Sequence, residues 1–419
     1  MTTSNGHRRL VAKVVVAALG GAVLGCSRGV GPGAPSPTPK VRPGIEVLLD
    51  DSAALVRGKG VGLVSNQGGV DAAGVSDVER LIGAGVRLVA LFSPEHGFRG
   101  VADPGEAVTS TRDSATGLPI YSLYGRTTAP TDSMLAGIDV LLVDLPDVGA
   151  RYYTYPGTTF EVMRAAGRRG IPVLVLDRPN PIGGLVQGNV LDPAHRSFVG
   201  ALAEPMRHGL TLGELARLAR LDLGIEADLH VIPAAGWRRE QTLETTGLPF
   251  VRPSPNLKDP ESLFHYPGTC LFEGTALSVG RGTDAPYRQI GAPWLDVPRV
   301  LRELAASRLA GVRFELVRFT PERPADGKYA GLPVRGIRLI LTDQRSYDPT
   351  LTAVTLLAAI HRVHPDSLRI SPRGFDRLAG GPSLREAILA GEAPAAIAAA
   401  WVAPREAWLE HRKSVLLYP

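Results

Sequence analysis

Four apolar runs in the first half of the chain each stop abruptly at a polar cluster. Residues 61–64 lead into Ser65 and Asn66, residues 86–92 into Pro94-Glu95-His96-Gly97, residues 138–143 into Asp144-Leu145-Pro146-Asp147, and residues 171–176 into Asp177-Arg178-Pro179-Asn180. Unbroken aliphatic and β-branched runs are the pattern of parallel strands covered on both faces, and ligands bind such sheets beyond the carboxyl ends of the strands. One polar loop after a strand is ordinary punctuation. Four clusters rich in carboxylates, amides and arginine at the same end point to a site.

Between the runs, helix starts are written as capping boxes. Ser76-Asp77-Val78-Glu79 is closed by Gly85, Thr158-Thr159-Phe160-Glu161 is closed by Gly170, and Thr211-Leu212-Gly213-Glu214 opens a helix through Leu221 ahead of a strand near residues 229–233. This alternation predicts an α/β fold, with a Rossmann-like, doubly wound parallel sheet over residues 44–235. No GxGxxG opens a helix after the first strand and no GxxxxGK[ST] occurs, so a dinucleotide or nucleotide cofactor is not expected. Residues 97–130 lack periodicity and read as a lid or binding loop containing Arg99, Tyr121 and Tyr124. Residues 144–157 pack two carboxylates, one arginine and three tyrosines together, either as a packed loop or as a surface that stacks on sugar rings.

Past a boundary near residues 232–243, the pattern restarts as a smaller α+β auxiliary domain, residues 236–419. Residues 251–284 read as loops returning to the cleft, with Glu273, Arg281, Thr283 and Asp284 as polar candidates; His265 and Cys270 are assigned to packing. Asp296 caps a helix ending near Leu309, residues 312–319 and 334–341 read as strands, and Asp348-Pro349 opens a helix through Val363. The remainder, with its Ser383-Leu384-Arg385-Glu386 box, is helical and chemically plain.

Length and charge narrow the class. A chain of 419 residues with 44% hydrophobic content can bury one large core or two of domain size. Its net charge of +5 is spread without any basic run, so nucleic acid is not an expected partner. The N-terminus holds targeting information. His7, Arg8, Arg9 and Lys13 precede an apolar run over residues 14–24 that ends in Val23-Leu24-Gly25-Cys26, which resembles a bacterial lipoprotein signal with its lipobox. The expected product carries lipid on Cys26, is exported and is anchored to a membrane facing the periplasm or cell wall. Residues 27–43, rich in Gly and Pro, form the expected tether.

The longer motifs carry a family resemblance. LVSNQ, LFSPEHGFRG, VDLPDVGARYYTY, DRPNPIGG, TLGELA, PSPNL and YPGTCLFEGTALSVGRGTDAPY resemble the exo-β-N-acetylmuramidases of bacterial cell-wall recycling, from about Gly44 to the C-terminus. The resemblance implies removal of a terminal, non-reducing N-acetylmuramic acid from peptidoglycan fragments in a cleft between the two domains. Glycoside hydrolysis needs an acid at the leaving oxygen and a second group, usually a carboxylate. Glu95 is the expected general acid in an apolar strand end, with His96 orienting it or the substrate. Glu273 and Asp144 rank equally as partner, ahead of Asp147 and Asp177, and the sugar's own acetamido group could replace a protein nucleophile.

Asn66, Arg99, Asp147, Arg151, Tyr152, Tyr153, Asp177, Arg178, Asn180, Arg281 and Thr283 are the expected substrate contacts. Among them, Arg99, Arg151, Arg178 and Arg281 are candidates for the lactyl carboxylate of muramic acid. Two other classes compete with this reading. One is a non-catalytic, lipid-anchored protein binding muramyl sugars. The other is a metal-dependent hydrolase built from His96, Asp144, Asp147 and Asp177, which lacks HExxH or paired Cys/His spacing; no metal or cofactor is expected.

Overall fold

The apolar runs become the middle of a seven-stranded sheet. In the computed structural model, which describes residues 40–419, the strands are β1 (Gly60–Ser65), β2 (Arg87–Ser93), β3 (Thr111–Arg112), β4 (Pro119–Ser122), β5 (Val140–Asp144) and β6 (Val173–Leu176). A hairpin of β7 (Gln187–Val190) and β8 (Pro205–Arg207) stands apart, and β9 (Leu229–Ile232) returns to give the order β3-β4-β2-β1-β5-β6-β9. Every pair is parallel except β3 with β4. From β1 the chain builds outward to one side and then, from β5, to the other, which is the doubly wound arrangement.

Burial on both faces explains why these strands show no alternation. On one face Val61, Leu63, Leu91, Val140 and Leu142 meet Ile45 and Leu48 of the helix Gly44–Asp51 and Leu81 of the helix Asp77–Gly83. On the other, Val64, Phe92, Leu141 and Val143 meet Phe160 and Met163 of the helix Thr154–Arg168 and Leu215 of the helix Leu212–Asp222. That second core continues without a break into the C-terminal half, through Leu263, Phe272, Ile290 and Leu357. There, β10 (Gln289–Ala292), β11 (Val312–Phe319) and β12 (Val334–Leu341) form an antiparallel sheet in the order β10-β12-β11. The helix Val297–Ala305 packs beside it and in turn meets the helix Pro349–Val363, which is capped by Asp348 accepting from the backbone N–H groups of Thr350 and Leu351.

Several local expectations are corrected. Residues 97–130 are not all loop: they supply β3 and β4, short pieces that pair only because β2 offers an open edge. The helix expected to begin at Thr158 begins at Thr154, since Pro156 falls in the first turn where no N–H is needed. Thr158 and Thr159 instead donate back to the carbonyls of Thr154 and Tyr155. Residues 251–284 contain the helix Pro260–Thr269, whose Asp259 cap and Pro260 start are the same signal read at Asp348-Pro349. Ser383 is already inside its helix, which is preceded by Pro382. Cys26 and residues 27–39 lie outside the described residues. Residues 41–43 are packed rather than tether-like, with Val41 buried and Arg42 donating its N–H to the Ala235 carbonyl at 2.9 Å.

The C-terminus pins the end of β6. Asp177 accepts from Tyr418 Oη at 2.6 Å, from Thr211 Oγ1 at 2.6 Å and from the Gly213 N–H at 2.8 Å. Burial nevertheless pushes its carboxyl up to about 7. An acid whose pKa is raised by folding holds its proton longer in the folded state, so this group's contribution to stability is complete below the ordinary carboxylate range and is lost as pH rises through about 7. Tyr418→Phe removes a donor to the charged form. The expected loss is about 1–3 kcal/mol at pH 8 and less at pH 4, read from urea unfolding; equal losses at both pH values would refute the linkage.

Candidate active site

The turn after β2 is built to face two polar side chains inward. His96 and Gly97 both take left-handed backbone, with φ of 71° and 76°, which folds the chain back so that Glu95 and His96 are 8% and 4% exposed. A left-handed histidine is strained and persists only where its surroundings enforce it. Ala102 does so twice, donating its N–H to the His96 carbonyl at 3.1 Å and accepting from His96 Nδ1 at 2.8 Å. The proton is therefore on Nδ1, and Nε2 is a lone-pair acceptor with no partner among the described residues. Burial lowers the His96 pKa, against opposition from Glu95, so the ring is neutral at pH 7.

Glu95 is surrounded by donors rather than by the apolar strand end that its sequence context suggests. Its Oε1 accepts from the Gly105 N–H at 2.9 Å and its Oε2 from Thr154 Oγ1 at 2.8 Å. The Tyr124 hydroxyl stands against it as well; burial, reinforced by the Glu95 charge, pushes that hydroxyl up to about 12. The carboxyl is thus held by the nearby Gly105 turn and by Thr154 from across the sheet, with Tyr124 beside it.

The opposite wall comes from the helix Pro260–Thr269, the turn Cys270–Gly274 and the loop behind it. Glu273 Oε1 receives Arg281 Nε at 3.0 Å, Arg281 Nη2 at 2.5 Å and Tyr287 Oη at 2.6 Å. All three donors converge on one oxygen, leaving Oε2 for the cleft. Burial opposes the Arg281 charge, but Tyr287 and Glu273 more than offset it, so the guanidinium stays ionised. Aromatic rings join the two walls edge to face: Tyr153 meets Tyr266 at 6.3 Å and Tyr266 meets Tyr287 at 4.8 Å. Tyr152 and Tyr153 are fixed by donating to the carbonyls of Pro267 at 2.5 Å and Pro253 at 2.8 Å. Cys270 lines the same space, its thiol kept protonated chiefly by burial.

These residues enclose a cleft of about 400 Å³, within the range that holds a small ligand. It gathers Glu95, His96, Tyr152, Tyr153, Glu273 and Arg281 from the sequence-derived candidates. The others lie elsewhere. Asp144 is fully buried against Arg178, which also donates to the Val70 carbonyl, and Asp77 stands beside them. Asp147 faces His208 at 3.3 Å, and Asp177 is enclosed by Thr211, Gly213 and Tyr418. Asn66 donates to Tyr155 Oη, Asn180 to the Leu210 carbonyl, and Thr283 to the Gly280 carbonyl. Exposed Arg99 pairs with buried Asp113, while buried Arg151 donates to the carbonyls of Asn189, Glu204 and Leu378.

His96 is therefore not joined by Asp144, Asp147 or Asp177, and among the described residues no group of three or more His, Cys, Asp or Glu converges as a metal site. The cleft also contains Tyr124 of the expected binding loop, and residues the sequence reading did not single out for a role: Gly105, Thr154, Tyr266, Tyr287, Asp326 and Arg377. The family motif that begins at Tyr266 and ends at Tyr287 was a visible signal. Arg377, in a plain helical stretch, had none.

Comparison with known proteins now decides the family. Residues 61–261 match the family model described as exo-β-N-acetylmuramidase NamZ, N-terminal, and residues 264–418 match its C-terminal counterpart. The chain belongs to the NamZ exo-β-N-acetylmuramidase family. It is 41% identical over 383 residues to the peptidoglycan β-N-acetylmuramidase NamZ of Bacillus subtilis strain 168, covering 91% of this chain and 92% of that protein. Two crystal structures of DUF1343 family proteins from Bacteroides fragilis share the fold at 31% identity each. Their TM-scores are 0.83 and 0.74, with 91% and 90% of this chain covered and 99% of each of theirs. NamZ family membership makes the protein a glycosidase.

Proposed function

We propose that the protein is an exo-acting glycoside hydrolase that removes terminal, non-reducing β-N-acetylmuramic acid from peptidoglycan fragments. The observation that carries this reading is the pair Glu95 and Glu273, each positioned by its own donors on a wall of one tyrosine-lined cleft. In this reading Glu95 protonates the glycosidic oxygen as the bond breaks. Glu273 Oε2 faces the developing oxocarbenium ion or the attacking group, and neutral His96 accepts a hydrogen bond through Nε2. The tyrosine rings offer apolar edges to the sugar, with the hydroxyls of Tyr152 and Tyr153 committed to backbone carbonyls and that of Tyr287 to Glu273. The family match favours hydrolysis over a non-catalytic muramyl-sugar binding protein. The lipobox at Cys26 supports export and attachment to a bacterial membrane.

The test is release of p-nitrophenol from p-nitrophenyl β-N-acetylmuramide by the full-length protein, with the β-N-acetylglucosaminide as control. Turnover of the muramide is expected, and it should sediment with membranes unless Cys26 is replaced by Ala. Binding of muramyl sugars without turnover by folded protein would turn the cleft into a recognition site and sink the hydrolase reading.

A further inference from the structure

The cations expected to meet the lactyl carboxylate are already engaged. Arg99 pairs with Asp113, Arg151 with backbone carbonyls, Arg178 with Asp144 and Arg281 with Glu273. Arg377 is different. It lines the cleft, its side chain is exposed, and among the described residues it has no hydrogen bond or ion pair. Its charge acts on the Tyr124 hydroxyl and on the Cys270 thiol, opposing the larger effect of burial at both, so it stands within electrostatic reach of both walls.

The backbone beneath Arg377 is fixed. The helix Pro372–Ala379 is capped by Ser371 and closed by Gly380 at φ 79°. Arg151 Nη2 donates to the Leu378 carbonyl at 2.9 Å and Asn189 Nδ2 to the Ala379 carbonyl at 2.7 Å. On the other side the Ser371 N–H reaches the Gly274 carbonyl at 2.8 Å, and a Cβ at Gly274 would stand 2.5 Å from Phe375 Cα. The helix is thereby joined to the turn that carries Glu273. Nearby acids do not neutralise the guanidinium: Asp376 is held by Arg385 at 2.8 and 3.0 Å, Glu273 by Arg281, and Asp326 has Lys328 at 4.0 Å. An unpaired guanidinium on a fixed stretch of backbone at a sugar-sized cleft is suited to a carboxylate on that sugar.

We propose that Arg377 binds the lactyl carboxylate of the terminal muramic acid and so sets the preference for muramic acid over glucosamine. This rests on the proposed function, since glucosamine differs at that position by lacking the lactyl group. Because the side chain is exposed, the interaction is screened by salt and contributes mainly to binding. Esterification of the lactyl group should weaken binding of N-acetylmuramic acid to the wild-type protein roughly 10- to 30-fold, the low end for a charge-assisted contact.

Titration calorimetry with N-acetylmuramic acid and its lactyl methyl ester, on the full-length protein and on Arg377→Gln and Arg377→Lys, tests this. Arg377→Gln should lose that factor for the acid and bind both ligands alike, with an unchanged thermal midpoint; Arg377→Lys should retain part of the preference. With the p-nitrophenyl muramide the loss should appear in KM rather than kcat. An Arg377→Gln protein that still prefers the acid, or that weakens both ligands equally, overturns the assignment. Failure of the hydrolase reading would show separately, as absent turnover by the wild type, while calorimetry would still report the carboxylate contact.

Discussion

Glu95→Gln will lower turnover of a muramyl disaccharide by roughly 10²–10⁴-fold, the contribution of a positioned general acid, while the fold stays intact. Glutamine's carbonyl oxygen can still accept from the Gly105 N–H while its NH2 donates to the Thr154 hydroxyl oxygen, which can turn to accept, but it has no acidic proton to give. The leaving group sharpens the test. A sugar hydroxyl is a poor leaving group and needs protonation as the bond breaks, whereas p-nitrophenolate departs with little help. The loss should therefore be much larger for the disaccharide than for p-nitrophenyl β-N-acetylmuramide. Equal losses on both substrates would assign Glu95 to binding or nucleophilic attack, and near wild-type turnover would remove it from the chemistry.

Asp144→Ala will act on stability rather than on chemistry. In sequence Asp144 ranks beside Glu273 as a partner for Glu95, yet it is fully buried against Arg178, whose side chain is 13% exposed. Breaking a buried pair by removing one member leaves an uncompensated charge, at a cost of about 3–5 kcal/mol. Asp77 moderates the loss. Its carboxyl is pushed well up, by burial first and by the Asp144 charge second, and Arg178 Nη2 lies 3.9 Å from it. Without Asp144 it can ionise and take over part of the pairing, so the lower end of that range is expected. Urea unfolding reads the stability change, and turnover per folded molecule should stay near wild type. A stable Asp144→Ala protein without activity would return Asp144 to the reaction.

The crevice rule was useful but incomplete at this sheet. Strand order places the topological switch between β1 and β5, and Asn66 and Asp144 follow those strands. In the structure the Asp144–Arg178 pair and the Asn66–Tyr155 contact fill that position. The cleft lies instead where the turn after β2 meets Tyr152–Thr154 and the Glu273 wall. Polar clusters at strand ends serve either to hold the sheet together or to meet ligand, and composition does not separate the two uses.

Sequence by itself determined the alternating strands and helices, the caps at Thr211, Asp296 and Asp348, the strands β11 and β12 and the family motifs, and it named Glu95, His96, Glu273, Arg281, Tyr152 and Tyr153, which the fold brings to one cleft. These are local signals, because periodicity, capping and motif spacing are set by neighbours within a few residues. Only the tertiary structure decided which arginines and aspartates are consumed by internal pairs, which oxygen of Glu273 stays open, and that Arg377 reaches the cleft unpaired. A charged side chain's role depends on its nearest opposite charge, and here that charge is often far away in the chain, as Arg178 is from Asp144.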